Sequence, residues 1–116
     1  MTVPIIKLGD NLIITIQTEM TDDMAVEAQN KILSRIRETE ARGLLIDLSV
    51  IDVIDSFMGR VLNDTAMMAR LMGAQTVVAG IQPGVAVTFM ELGLKMKNVY
   101  TVLDIEQGLE LLKSLE

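Results

Sequence analysis

Leu44-Leu-Ile-Asp-Leu48 is a continuous apolar run interrupted only by Asp47, and Ser56-Phe-Met-Gly-Arg60 follows it after the loop Ser49–Asp55. An unbroken apolar run of this length suits a strand buried on both faces, as in a parallel sheet. The loop mixes Val50, Ile51, Val53 and Ile54 with Asp52 and Asp55. Ser56 then opens a helix predicted to reach about Met72, where Gly73 stops it. Phe57, Val61, Met68 and Met72 recur at helical spacing as one apolar stripe, widened by Leu62, Ala66 and Ala69. A buried strand feeding a helix is the repeating unit of an α/β sheet.

Downstream the unit repeats. Thr76–Gly80 reads as another buried strand, and Pro83 suits the first turn of a helix running to about Leu92 and ending at Gly93. Val99–Leu103 is a further strand. Asp104 caps the last helix with Gln107 three residues on, the spacing of a capping box, and Ile105, Leu109 and Leu112 give that helix its core face. Upstream, Pro4–Leu8 and Leu12–Gln17 are strands joined at Gly9-Asp10-Asn11, a hairpin signal. Ile14 and Ile16 face one side and Ile13 and Thr15 the other. Thr21 is the expected N-cap of the first helix, with Asp22 and Asp23 in the first turn where carboxylates suit the helix dipole. Ala25, Ala28, Ile32, Leu33 and Ile36 form its apolar face, and Gly43 is the expected close. The order is β-β-α-β-α-β-α-β-α. It predicts one α/β domain over 1–116, with a mixed, mostly parallel sheet, an antiparallel N-terminal hairpin and helices packed against it.

Composition narrows the function. Half of the 116 residues are hydrophobic but only 3% are aromatic, so Val, Ile, Leu, Met and Ala must build the core. Nine Met add adaptable packing. The mean hydropathy of +0.41 means either an unusually apolar core or apolar surface reserved for partners. A net charge of -6 with scattered basic residues argues against nucleic acid and against anionic membrane surfaces. With no Cys there is no disulfide, thiolate zinc site or thiol catalysis, and with no His the commonest general base is missing. The N-terminal Met-Thr-Val-Pro-Ile-Ile-Lys is too polar for a signal peptide, and no run has the roughly 18 apolar residues of a membrane span. The expectation is a cytoplasmic protein without metal or cofactor.

The segment Ile51-Asp-Val-Ile-Asp-Ser-Phe-Met-Gly-Arg60 is the candidate site. Its plainest reading is that Ser56 is an N-cap, accepting a backbone N–H bond. Phe57 and Met58 are unusual beside a mere cap. Successive residues in a helix point in different directions, so one is expected in the core and the other at the surface. Gly59 inside a helix costs about 1 kcal/mol relative to Ala, which a close backbone approach by the sheet or by a partner would explain.

Gly43-Leu-Leu-Ile-Asp-Leu48 together with Ile54-Asp-Ser-Phe-Met-Gly-Arg-Val-Leu62 resembles the signature of STAS domains, the sulfate-transporter and anti-sigma-factor-antagonist family. In that family a strand leads to an Asp-Ser or Asp-Thr pair at a helix start. Leu71-Met-Gly-Ala-Gln75, Ala79-Gly-Ile-Gln-Pro83 and Leu103-Asp-Ile-Glu-Gln-Gly-Leu-Glu110 look like the single-domain stressosome antagonists, the RsbS type. The resemblance covers essentially the whole chain. It implies a scaffold and antagonist that sequesters a serine switch kinase and releases it once Ser56 is phosphorylated. Longer STAS co-antagonists would share the assembly. Asp52, Asp55, Phe57, Met58 and Arg60 would form the partner-binding surface around Ser56. The alternative within the family is a general anti-sigma-factor antagonist binding an anti-sigma kinase directly. Many such antagonists carry small residues after the phosphorylated Ser, whereas Phe57 and Met58 are large.

Other features read more simply. Gly80-Ile-Gln-Pro-Gly84 leads from strand to helix and could cradle a phosphate. It lacks the Lys-Ser/Thr of a P-loop, and a tight turn is the expectation. Asp22 and Asp23 suit the helix dipole better than a metal. Asp47 is expected to accept backbone N–H bonds from the following loop, with no companion base beside it. Catalysis is therefore not expected. A two-component receiver would share the alternation of strands and helices but needs acids after the first strand and a Lys after the last. Here Leu8-Gly9 and Leu103-Asp104 stand in those places.

Overall fold

Right-handed strand–helix–strand crossovers that always advance in one direction across a sheet put all their helices on the same face. The computed structural model, which describes residues 3–93 and 99–116, has this arrangement. Met1 and Thr2 of the N-terminal segment lie outside the described residues. Five strands, β1 (Ile5–Leu8), β2 (Asn11–Thr15), β3 (Gly43–Asp47), β4 (Gln75–Ala79) and β5 (Val99–Val102), lie in the spatial order β1-β2-β3-β4-β5. β1 is antiparallel to β2 and the other pairs are parallel. The crossover helices are α1 (Asp22–Thr39), α2 (Ser56–Leu71) and α3 (Pro83–Glu91). The last helix, α4 (Ile105–Ser114), returns across the opposite face over β3, β4 and β5. A doubly wound receiver has a reversal in its strand order. This sheet has none, so the receiver alternative is excluded by topology.

The two faces have separate cores. Leu12, Ile14, Leu44, Ile46 and Val78 meet Ile32, Ile36, Leu62, Val85 and Phe89 of α1–α3 in the larger one. Leu45, Val77 and Ala79 meet Leu112 of α4 in the smaller. All five residues of β3 are buried, as its unbroken apolar run requires. The hairpin turns at Gly9-Asp10, with Leu8 paired to Asn11 and Gly9 at φ +60. Gly at the first turn position with positive φ fits a type II′ hairpin.

Two expectations about helix α1 and α2 need correction. Gly43 does not close α1. Glu40 takes the left-handed C-cap conformation at φ 55, and Gly43 begins β3. Gly43 serves a close approach instead, because a Cβ there would collide with Asn11 Oδ1 and lie 3.0 Å from Leu112 Cδ2. Of the expected stripe Phe57, Val61, Met68 and Met72 on α2, only Val61 packs against the core, and the other three are exposed. The flanking Leu62, Ala66 and Ala69 are buried as expected, joined by Met58, Gly59 and Thr65. The small residues Ala66 and Ala69 let the helix lie close to the sheet, which large side chains could not.

Candidate functional site

The carboxyl ends of the parallel strands and the loops that follow them lie together at one end of the sheet. Doubly wound sheets bind ligands at such an end where the strand order reverses; this sheet has no reversal, so the loops themselves must build a site. The loop Leu48–Asp55 is the best defined element there. Leu48 N–H donates to Ala79 O (2.9 Å), and Asp47 Oδ1 accepts from Ser49 N–H (2.9 Å), the role expected of this buried carboxylate. Ile51 and Ile54 point into the main core, whereas Val50 and Val53 stand exposed. The loop is thus pinned at Ile51 and Ile54 and presents Val50, Asp52 and Val53 at its surface.

The loop delivers the chain into α2 at Asp55-Ser56. The N-cap is Asp55, not Ser56: the Asp55 carboxylate accepts from Met58 N–H at 2.8 Å, and Ser56 is the first helical residue. A carboxylate is as good a cap as a hydroxyl and adds a favourable charge at the helix N-terminus. This leaves the Ser56 hydroxyl exposed and not used in capping. Phe57 and Met58 diverge as expected. Phe57 is 38% exposed and Met58 only 5%. Met58 therefore does not belong to a free partner-binding surface, and its side chain completes the core below it. Asp52, Asp55, Phe57 and Arg60 are all exposed around Ser56.

Beside Asp55 lies a shallow cleft of about 220 Å³, walled by Ile16, Met20, Ile51, Ile54 and Met58. Its size is below that of ordinary small-molecule sites. The Gly80–Gly84 turn, which the sequence offered as a possible phosphate cradle, holds the loop instead. Gln82 Nε2 donates to Ser49 O (2.6 Å), and Thr88 Oγ1 donates to Ile54 O (2.8 Å). Gln82 and Thr88 have no sequence signal that marks them, because their partners are backbone carbonyls 33 and 34 residues away. Gly59 owes its place to α3 rather than to the sheet, since a Cβ would lie 2.8 Å from Leu92 Cδ1. Among the described residues, no three His, Cys, Asp or Glu side chains cluster as metal ligands, and no helix is long and apolar enough to cross a membrane.

The sheet order, the Asp-Ser pair at the start of α2 and the lone returning helix now have a family to match. The STAS domain model fits residues 2–107. The chain belongs to the STAS domain family. Among solved structures it is similar to a serine-to-glutamate variant of RsbS from Moorella thermoacetica, at 37% identity and a TM-score of 0.86, covering 97% of this chain and 96% of that one. It is also similar to a chain in a structure of the stressosome, a signal integration and transduction hub, at 34% identity and a TM-score of 0.81, with 97% of each covered. Among curated proteins it is 25% identical over 115 residues to the RsbT co-antagonist protein RsbRA of Bacillus subtilis (strain 168). The match spans 95% of this chain and 40% of the length of RsbRA. This STAS domain is thus related to stressosome proteins of both the RsbS and the RsbR kind.

Proposed function

We propose that this STAS domain is a phosphorylation-switched antagonist that docks an RsbT-type serine kinase on the Ser56 surface and lets it go once Ser56 carries phosphate. The observation that carries this reading is the division of labour at the start of α2. Asp55 caps the helix, so the adjacent Ser56 hydroxyl is exposed and available. Modification at Ser56 then leaves the cap intact and alters only the surface. Phosphate adds about -1.5 to -2 charge. The helix N-terminus already has the Asp55 carboxylate, and Asp52 lies nearby in the loop, so the new charge is repelled rather than absorbed. Val53 and Phe57 flank the same patch. A partner seated on apolar surface next to a free hydroxyl would meet a dense negative charge after transfer, with a desolvation penalty added to the repulsion.

The exposed Phe57 ring asks for a partner pocket of its own, which favours a dedicated kinase over an anti-sigma kinase adapted to small residues. Co-assembly with longer STAS co-antagonists follows from the likeness to stressosome proteins, and the chain itself would carry no turnover. Its lack of His and Cys supports that part of the reading. The test is phosphate incorporation by a purified RsbT-type kinase into wild type and Ser56→Ala. Labelling of wild type alone supports the reading. Equal labelling of both proteins overturns it. Thr65 is an unsuitable substitute acceptor, being 2% exposed and bonded to Val61 O, and Thr88 is engaged with Ile54 O.

A further inference from the structure

The motif Gly80-Ile-Gln-Pro-Gly84 and the following Thr88 make no part of the Ser56 surface, yet they touch the loop before it along its length. Gly80 lies against Ser49, where a Cβ would come within 2.6 Å of Ser49 Cβ and 2.9 Å of its Cα. Gly80 also has φ +74, so a side chain would be strained there whatever the space. Gly84 lies against the next stretch, where a Cβ would run into the Asp52 carbonyl oxygen and stand 2.8 Å from Val53 Cγ1. Between the glycines, Gln82 Nε2 holds Ser49 O at 2.6 Å. One turn further, Thr88 Oγ1 holds Ile54 O at 2.8 Å, two residues before Ser56. The clasp is itself fixed, because Val85 and Phe89 on the inner side of α3 are 0% and 6% exposed in the main core.

We propose that the segment Gly80–Thr88 is the positioning element of the phospho-acceptor: its two glycines admit the backbone of Ser49 and Asp52, and the Thr88 hydroxyl locks the Ile54 carbonyl so that Ser56 is presented in one place. This rests on the acceptor role of Ser56 proposed above. Thr88 is a positioning residue, not a catalytic one, since its hydroxyl acts on Ser56 only through the Ile54–Asp55 backbone. Phosphoryl transfer to serine depends on holding the hydroxyl in line with the donor phosphate, so a loop that wanders lowers turnover beyond any loosening of docking through Asp52 and Val53.

The test compares wild type with Thr88→Val, Thr88→Ser and Gly84→Ala. Thr88→Val keeps the shape and removes the donor. Loss of one neutral hydrogen bond of this kind corresponds to roughly a three- to tenfold change in a local opening equilibrium. Amide hydrogen exchange at residues 49–56 is expected to rise by about that factor in Thr88→Val and by more in Gly84→Ala, whose Cβ displaces the Asp52 backbone, with the amides of β3 and β4 serving as the control for global unfolding. With a purified RsbT-type kinase, kcat for Ser56 is expected to fall by a similar factor and by more than KM rises, and Thr88→Ser is expected to restore both exchange and kcat. Unchanged exchange at 49–56 in Thr88→Val overturns the clasp. Raised exchange with unchanged kcat overturns the positioning role. If wild type itself is not labelled at Ser56, the acceptor reading fails, and with it the positioning role, while the exchange measurement still decides whether Thr88 holds the loop.

Discussion

Removing the Asp55 carboxylate and removing the Ser56 hydroxyl should have different consequences although the two residues are neighbours. Asp55 accepts from Met58 N–H at 2.8 Å, so Asp55→Ala is expected to cost about 1 kcal/mol, the usual value for a lost N-cap. Ser56 is exposed at the first helical position, so Ser56→Ala is expected to stay within about 0.5 kcal/mol of wild type. Urea unfolding of the two variants checks this, and a larger loss in Ser56→Ala would return the cap to Ser56. The candidate site was legible in the chain as the run Ile51–Arg60, but the frame of the cap was not. Asp and Ser are equally good N-caps, and it is the loop anchored by Ile51 and Ile54 that delivers Asp55 to the cap position. Asp47 was read correctly because a lone carboxylate at the end of an apolar strand has few partners but the loop amides after it.

Helix α2 shows why the order of elements could be read and the buried face of one of them only in part. It is apolar on two sides. Phe57, Val61, Met68 and Met72 make a stripe by spacing, yet the core takes the flanking Leu62, Ala66 and Ala69 with Met58 and Val61 and leaves Phe57, Met68 and Met72 outside. Side-chain size decided the matter, since α2 packs close to the sheet and to α3 at Gly59. Leu62→Ala is therefore expected to cost about 2–5 kcal/mol, whereas Met68→Ala should cost less than about 0.5 kcal/mol. Equal losses in chemical denaturation would put the outer stripe back in the core. On the other face, α4 seats on Leu45 through Gly108, where a Cβ would come within 2.6 Å of Leu45 Cδ1. Ala is the better helix former by about 1 kcal/mol. Leu45 is fully buried and cannot yield freely, so overpacking of about 1–3 kcal/mol should outweigh that gain. Gly108→Ala is expected to lower Tm, and a raised Tm would show that α4 shifts to make room.

The chain as a unit keeps a good deal of apolar surface. Val50, Val53, Phe57, Leu71, Met90 and Leu103 are all exposed, which accounts in part for the positive mean hydropathy that the sequence left open between core and surface. Surface of this kind in a relative of stressosome proteins leads us to expect association with a longer STAS protein. Light scattering of the mixture should show a particle larger than either component, and two unchanged masses would remove the scaffold role. The central claim is that phosphate on Ser56 weakens the hold on the kinase. It is tested most directly by titrating an RsbT-type kinase into the unphosphorylated protein and into protein phosphorylated stoichiometrically at Ser56, and comparing Kd. A loss of affinity of about tenfold or more, ~1.4 kcal/mol, is the predicted result. Equal Kd for the two forms would contradict it.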